Sequence, residues 1–240
     1  DYRLIPRPTL VFQPELASED RVRQLALGVA FEERWPGRGS LGIGAQRMDY
    51  RRSIVPQIAT PASVTVTDHA APLLTNFRFT VNASPQVLFY GSYTRGLEDS
   101  ALAPENATNH GASPPATTTW QVDAGARYAP RPGMQFLLGA FEIRKGYFNL
   151  DAQRYYGLLG QIRHRGLEAS ATIESDQRLT AVLGAVWLRP TVLLLGGGSL
   201  TPVGPVPLLI DFNVDYAPPG WGPWALGLEW RRVSSRRWAP

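Results

Sequence analysis

The sequence predicts an all-β chain, an antiparallel transmembrane β-barrel portion of about ten strands with short turns on one end and long loops on the other. Three observations predict it. Apolar and polar residues alternate with period two in one segment after another. The connections between those segments run short, long, short, long along the chain. Aromatic residues bracket several of the apolar faces.

The strands follow in order. Segments 21–35 and 39–55 open the series, and 72–83 follows, with Phe77, Phe79 and Val81 facing away from Arg78, Thr80 and Asn82. After segment 86–96 comes 118–129, where Trp120, Val122, Ala124, Ala126 and Tyr128 alternate with Gln121, Asp123, Gly125 and Arg127. Segment 134–146 leads to 158–174, in which Leu167, Ala169, Ala171 and Ile173 oppose Glu168, Ser170, Thr172 and Glu174. Segment 178–189 precedes 207–217, with Leu208, Ile210, Phe212, Val214 and Tyr216 set against Leu209, Asp211, Asn213 and Asp215. The last, 223–235, alternates Trp224, Leu226, Leu228 and Trp230 with Ala225, Gly227, Glu229 and Arg231. Successive strand side chains point to opposite faces, so each segment carries one apolar and one polar face. An irregular strand around Leu4–Phe12 is weakened by Pro6 and Pro8.

The connections are Pro36–Arg38, Pro56–Ala71, Ser84–Pro85, Leu97–Thr117, Pro130–Gly133, Tyr147–Gly157, Ser175–Gln177, Pro190–Val206 and Pro218–Gly222. Successive hairpins put alternate connections on opposite ends of a sheet. Tight turns therefore gather at one end and long loops at the other, the asymmetry of outer-membrane barrels. Alternation alone does not say whether the apolar face meets a core or lipid, because a lipocalin-like barrel gives the same pattern with the sign reversed. Trp120 and Tyr128, and Trp224 and Trp230, bracket apolar runs whose length approaches a hydrocarbon band, and this favours lipid.

Composition removes other classes. With 44% hydrophobic residues and a net charge of +4, disorder is excluded. The 23 glycines and 21 prolines suit many strands and turns. Apolar runs such as Leu179–Leu188 are too short for a membrane helix of about 20 residues. The chain has no cysteine, which rules out disulfides, thiolate metal sites and thiol nucleophiles. Its arginines are scattered among acids, the densest group being Arg231, Arg232, Arg236 and Arg237, so no nucleic-acid partner is expected. The start, Asp1-Tyr2-Arg3, reads as a processed or internal terminus.

Three stretches carry a family resemblance. Leu88-Phe89-Tyr90-Gly91-Ser92-Tyr93-Thr94-Arg95-Gly96-Leu97-Glu98 precedes a long loop holding Ala103-Pro104-Glu105-Asn106. Next come Thr119–Tyr128, a tight turn, and Gln135–Arg144 with Ala140-Phe141-Glu142-Ile143. Arg163-His164-Arg165-Gly166-Leu167-Glu168 completes the set. In this order they resemble the barrel of TonB-dependent outer-membrane receptors, in particular the ferric-siderophore branch, over about Leu73 to Ala185. Asp123 and Arg127 stand where that family often has Glu and Lys.

The resemblance implies a barrel of about 22 strands with a plug in its lumen. Residues 1–240 would be part of that barrel, the plug domain absent, in the bacterial outer membrane. It further implies a ferric-siderophore-type ligand, the TonB energy-coupling complex acting through the plug, outer-membrane lipid as surroundings, and no enzymatic activity. Lumen residues on the polar faces are Arg78, Gln121, Asp123, Arg127, Glu168, Glu174, Asp211, Asp215 and Glu229. Ligand-contact candidates are Arg95, Glu98, Asp99, Asn106, Asn109 and His110, at or within a long loop on a rigid scaffold. Arg95 has a plainer role open to it, an ion pair with Glu98 or Asp99. No catalytic residue, cofactor or metal site is expected, since His69, His110 and His164 sit on separate elements. The rival readings are a small passive pore, an outer-membrane hydrolase of about ten strands, and a soluble lipocalin-like or β-sandwich binding module.

Overall fold

A computed structural model describes residues 19–55, 66–175 and 178–235. The segment around Leu4–Phe12, the first part of the loop after Val55, and Arg236 and Arg237 lie outside the described residues.

Twelve strands form one antiparallel sheet: β1 (Glu19–Trp35), β2 (Gly39–Val55), β3 (Val66–Ala70), β4 (Leu73–Asn82), β5 (Val87–Glu98), β6 (Thr117–Arg131), β7 (Met134–Leu150), β8 (Tyr156–Ser175), β9 (Leu179–Leu194), β10 (Ser199–Leu200), β11 (Leu208–Tyr216) and β12 (Leu226–Val233). Ten of them make a continuous path in chain order, β1-β2-β4-β5-β6-β7-β8-β9-β11-β12, while β3 hangs on β2 and β10 on β9. Every step is a hairpin between neighbours, as the period-two pattern requires. Among the described residues β1 pairs only with β2 and β12 only with β11, so the sheet is an open wall. The described strands therefore do not close a ten-stranded barrel, the architecture that the small pore and the ten-stranded hydrolase assumed.

The tight turns share one end. In the β6–β7 turn Pro132 is followed by Gly133 with φ +77°, a left-handed position that favours glycine. A Cβ there would also lie 2.4 Å from the Glu174 carbonyl oxygen of β8. The opposite end carries the long connections, with one exception. The segment Tyr147–Gly157, expected as a loop, is mostly strand, because β7 and β8 stay paired out to Leu150 and Tyr156. Val66–Ala70 was likewise expected within a loop and instead forms β3.

Side chains of residues paired across an antiparallel ladder share a face. The register therefore sorts the wall into two surfaces. One row runs Phe79–Gly91–Ala124–Ala140–Leu167–Trp187–Leu208, and the next Val81–Phe89–Ala126–Leu138–Ala169–Ala185–Ile210. This surface is apolar across the whole path, and none of the described residues packs on it. Leu27 is 79% exposed, Leu138 61% and Leu228 61%. Among the described residues no second sheet meets it, so they form no β-sandwich core. A continuous apolar surface of this extent needs hydrocarbon against it.

The other surface is polar. All nine expected lumen residues, Arg78, Gln121, Asp123, Arg127, Glu168, Glu174, Asp211, Asp215 and Glu229, fall on it by register. Two of them are closely ion-paired, Arg78 with Glu32 at 2.7 Å and Asp211 with Arg231. Asp123 accepts from the Ser92 hydroxyl at 2.5 Å and from the Gln121 amide at 2.8 Å, which satisfies both carboxylate oxygens. Aromatic rings on this face lie over glycines. Tyr90 covers Gly125 and Gly139, which oppose one another across β6 and β7, and Phe141 covers Gly166 of β8.

Candidate functional site

At the loop end of the wall, β2 runs beyond the apolar belt and turns buried. Met48, Tyr50, Arg52 and Ile54 share one parity, continuous with the polar surface, and all four are buried. Met48 and Tyr50 pack with Leu74, and Ala70, Leu97 and Ala116 close over them. Leu97 and Ala116 flank the long β5–β6 connection, so this small core seats both its ends on the inner side of the wall.

Arg52 is the fixed point. Its guanidinium forks onto Asp20, Nε to Oδ1 at 3.0 Å and Nη2 to Oδ2 at 2.7 Å. Nη1 donates to Asp99 Oδ2 at 2.8 Å and to the Ser100 carbonyl at 3.0 Å. One side chain thus ties β1 and the start of the loop to β2. Asp20 is held below the usual carboxylate range, first by the Arg52 hydrogen bond, while the Arg52 value rises for the same reason. The Tyr50 hydroxyl is buried without a well-formed hydrogen bond among the described residues, and burial, then the nearby Asp99 carboxylate, pushes it up to about 12. At the far end the Ala116 amide donates to Asp68 Oδ2 of β3 at 2.8 Å, and the Ser100 hydroxyl donates to the Pro114 carbonyl.

Between these ties the loop reaches along the wall to the β7–β8 connection. Asn109 donates to the Tyr156 carbonyl at 2.9 Å and accepts from the Tyr156 amide at 2.8 Å. The Thr108 amide donates to the Arg154 carbonyl at 2.9 Å. The loop interior is closed by Ala103 amide to Ala112 carbonyl at 2.8 Å and Gly111 amide to Ala103 carbonyl at 3.0 Å. A strap anchored on β2–β3 at one side and on the β7–β8 connection at the other is the result.

The six candidates separate on this framework. Glu98 pairs with Lys145 of β7 at 2.9 Å, Asp99 with Arg52, and Asn109 with the Tyr156 backbone. These three hold the strap. Asn106 and His110 stand exposed on it. Arg95 is not with them: it faces Trp120 across the ladder, on the outward surface, and donates to Thr118 Oγ1 at 3.3 Å. The expected alternative, an Arg95 ion pair with Glu98 or Asp99, does not form, because Lys145 and Arg52 take those carboxylates. Arg52, Asp68 and Lys145 were not among the site candidates read from the sequence. Arg52 could have been, as a charge in the parity of Met48, Tyr50 and Ile54, and Lys145 as the chain's single lysine.

The sequence matches the family described as TonB dependent receptor-like, beta-barrel, over residues 8–240. The chain belongs to that family. The wall is correspondingly similar to solved TonB-dependent receptors. The siderophore receptor PiuA from Acinetobacter baumannii superposes with a TM-score of 0.67 at 10% identity, covering 83% of this chain and 32% of that one. BauA, the ferric preacinetobactin receptor of the same organism, gives 0.67 at 19% identity, covering 91% and 33%. The ferric-catecholate import receptor Fiu from E. coli K12 gives 0.68 at 10% identity, covering 89% and 34%. The chain thus spans about a third of the length of these receptors, and at such identities the likeness is one of fold. No curated protein sequence matches it. As a TonB-dependent receptor barrel, the wall has its apolar surface toward lipid and its polar surface and strap toward the lumen.

Proposed function

We propose that this chain is part of the wall of an outer-membrane receptor that takes up a ferric siderophore or similar scarce chelate, driven through a plug by the TonB energy-coupling complex. The observation that carries the reading is the two-faced wall with a strap tied to its inner side at the loop end. An apolar belt outside and a polar, charged surface inside suit a water-filled lumen in a bilayer. The open edges at β1 and β12 call for further strands, and a barrel of the 22-stranded class has room for a plug. Several solved relatives bear names that refer to siderophores or ferric chelates, which supports that substrate class.

The mouth supplies polar, exposed groups on a fixed frame. Asn106 and His110 are the strap residues left free to meet a ligand, while Glu98, Asp99 and Asn109 set where the strap lies. No covalent step is asked of them; binding and release would follow strap and plug movement. The test is uptake of iron-55 loaded on catecholate, hydroxamate and mixed siderophores by cells with and without the receptor, each with TonB present or deleted. Accumulation that needs both receptor and TonB is expected for at least one chelate class. Correct insertion with no uptake of any chelate would overturn the substrate reading.

A further inference from the structure

The outward surface carries a feature that chelate uptake leaves unused. Directly above the apolar belt, on the loop side, lie Arg95 of β5, Arg144 of β7, Arg163 and Arg165 of β8, and Arg189 of β9. By register Arg144 faces Arg163, and Arg165 faces Arg189. All five share the parity of Leu167 and Trp187, the belt residues one to two rows below. Like charges directly opposite on a ladder are destabilising, so a fold under no other demand would not set them so. One acid sits among them, Glu142, and it is already shared between Arg144 at 2.7 Å and Arg165 at 2.5 Å. Among the described residues Arg95, Arg163 and Arg189 have no carboxylate partner. The Arg163 Nε is shut away from solvent with no acceptor beside it.

We propose that this arginine cluster binds the phosphate groups of a multiply acylated, multiply phosphorylated lipid of the outer leaflet, whose acyl chains lie on the belt below. Guanidinium forks match phosphate oxygens in pairs. Position selects a lipid over a free anion: the cluster lies at the border of the hydrocarbon, where an anchored headgroup is held at high local concentration and a dissolved anion is not. The five arginines against one glutamate leave a surplus of positive charge for an anion to neutralise. The inference rests on the outer-membrane reading above.

The test uses the receptor in mild detergent, with native mass spectrometry to count bound diphosphoryl lipid A, its dephosphorylated form as control, and inorganic phosphate as competitor. One retained diphosphoryl lipid A per receptor is expected. The triple variant Arg163→Gln/Arg165→Gln/Arg189→Gln should weaken retention at least tenfold while keeping heat-modifiable gel mobility and chelate uptake. If that variant does not insert, Arg189→Gln alone, on the outward face, should weaken retention severalfold. Retention unchanged in the variants, or equal for the dephosphorylated lipid, would overturn the proposal. Displacement by millimolar phosphate would assign the site to the free anion instead and overturn it too. A fluorophore on Leu167→Cys separates the two readings. Quenching by brominated acyl chains with unchanged lipid A retention would sink this inference alone, whereas no quenching would sink the membrane reading beneath it.

Discussion

Arg52 shows how much one side chain can organise. It is 9% exposed, yet its two carboxylate partners are each more than two-fifths exposed. Removing one member of a fully buried pair costs about 3–5 kcal/mol. With acceptors open to water the loss is smaller, about 1 kcal/mol, and local. Arg52→Gln is therefore expected to free the strap without unfolding the wall, read as faster protease cleavage within 99–116 at unchanged heat-modifiable mobility. Equal cleavage rates would mean that the Met48, Tyr50 and Leu74 packing seats the strap by itself. The tie also has a defined pH dependence. Asp20 has a folded-state value below its unfolded one, so its contribution is present above the ordinary aspartate range. It is lost only as pH falls through the depressed value. Hydrogen-exchange protection of the β1 amides around Asp20, which this pair ties to β2, should thus persist at pH 5 and fade only in stronger acid, while the Arg52→Gln variant shows little change over that window.

Strands were largely legible in the sequence because a wall wet by lipid on one side and water on the other must alternate everywhere it crosses the bilayer. The segment 39–55 coincides with β2, and 134–146 and 158–174 start β7 and end β8 within a residue. The outer parts of β7 and β8 were not legible, since beyond the bilayer both faces meet water and the pattern that marks a strand disappears. Gly146, Asn149, Asp151 and Gly157 then read as turn residues. β3 was missed for a related reason: Asp68 and His69 leave it no apolar face, and only β2 supports it. The face of Arg95 was open to parity counting, but a charged residue beside a loop suggested the mouth. What no local pattern reveals is which carboxylate each cation takes, and so the strap's ties stayed hidden. Packing between neighbouring strands yields its own expectation at Gly125 and Gly139. A Cβ at Gly139 would meet the Tyr90 hydroxyl and Glu168 Oε1, both at 2.8 Å and both ends of side chains that can swing. A Cβ at Gly125 would lie 2.5 Å from the Leu138 carbonyl as well as 2.5 Å from the Tyr90 hydroxyl. Overpacking costs about 1–3 kcal/mol, so Gly125→Ala should lower the thermal midpoint more than Gly139→Ala. In a Tyr90→Ala background the Gly139→Ala penalty should shrink to what the Glu168 contact leaves, and the part of the Gly125→Ala penalty set by the Leu138 carbonyl should remain.

The slope of the whole wall follows from where its outward charges begin. On β2 the first outward charge above the belt is Arg47, and on β12 it is Arg232. Traced through the register, Arg232 is level with Ile210, Ala185, Ala169, Leu138, Ala126, Phe89, Val81 and finally Gly39. Gly39 lies eight residues below Arg47 on β2, and eight strand-to-strand steps separate β2 from β12. The charged border therefore slips by one residue per strand relative to the ladder. A membrane surface is level, so the ladder must be the part that slopes. With a rise of ~3.4 Å per residue and a strand spacing of ~4.8 Å, that slip corresponds to a strand tilt of about 35°. Closed membrane barrels tilt their strands by about 35–45°, so a border drawn only from charges agrees with a geometry drawn from barrel closure. A lipocalin-like barrel has no membrane surface for such a border to follow. Polarised infrared spectroscopy of the receptor in oriented bilayers should return a mean strand tilt near 35–45°. A tilt below about 20° would mean that Arg47 and Arg232 do not lie at one depth, and the belt would have to be redrawn.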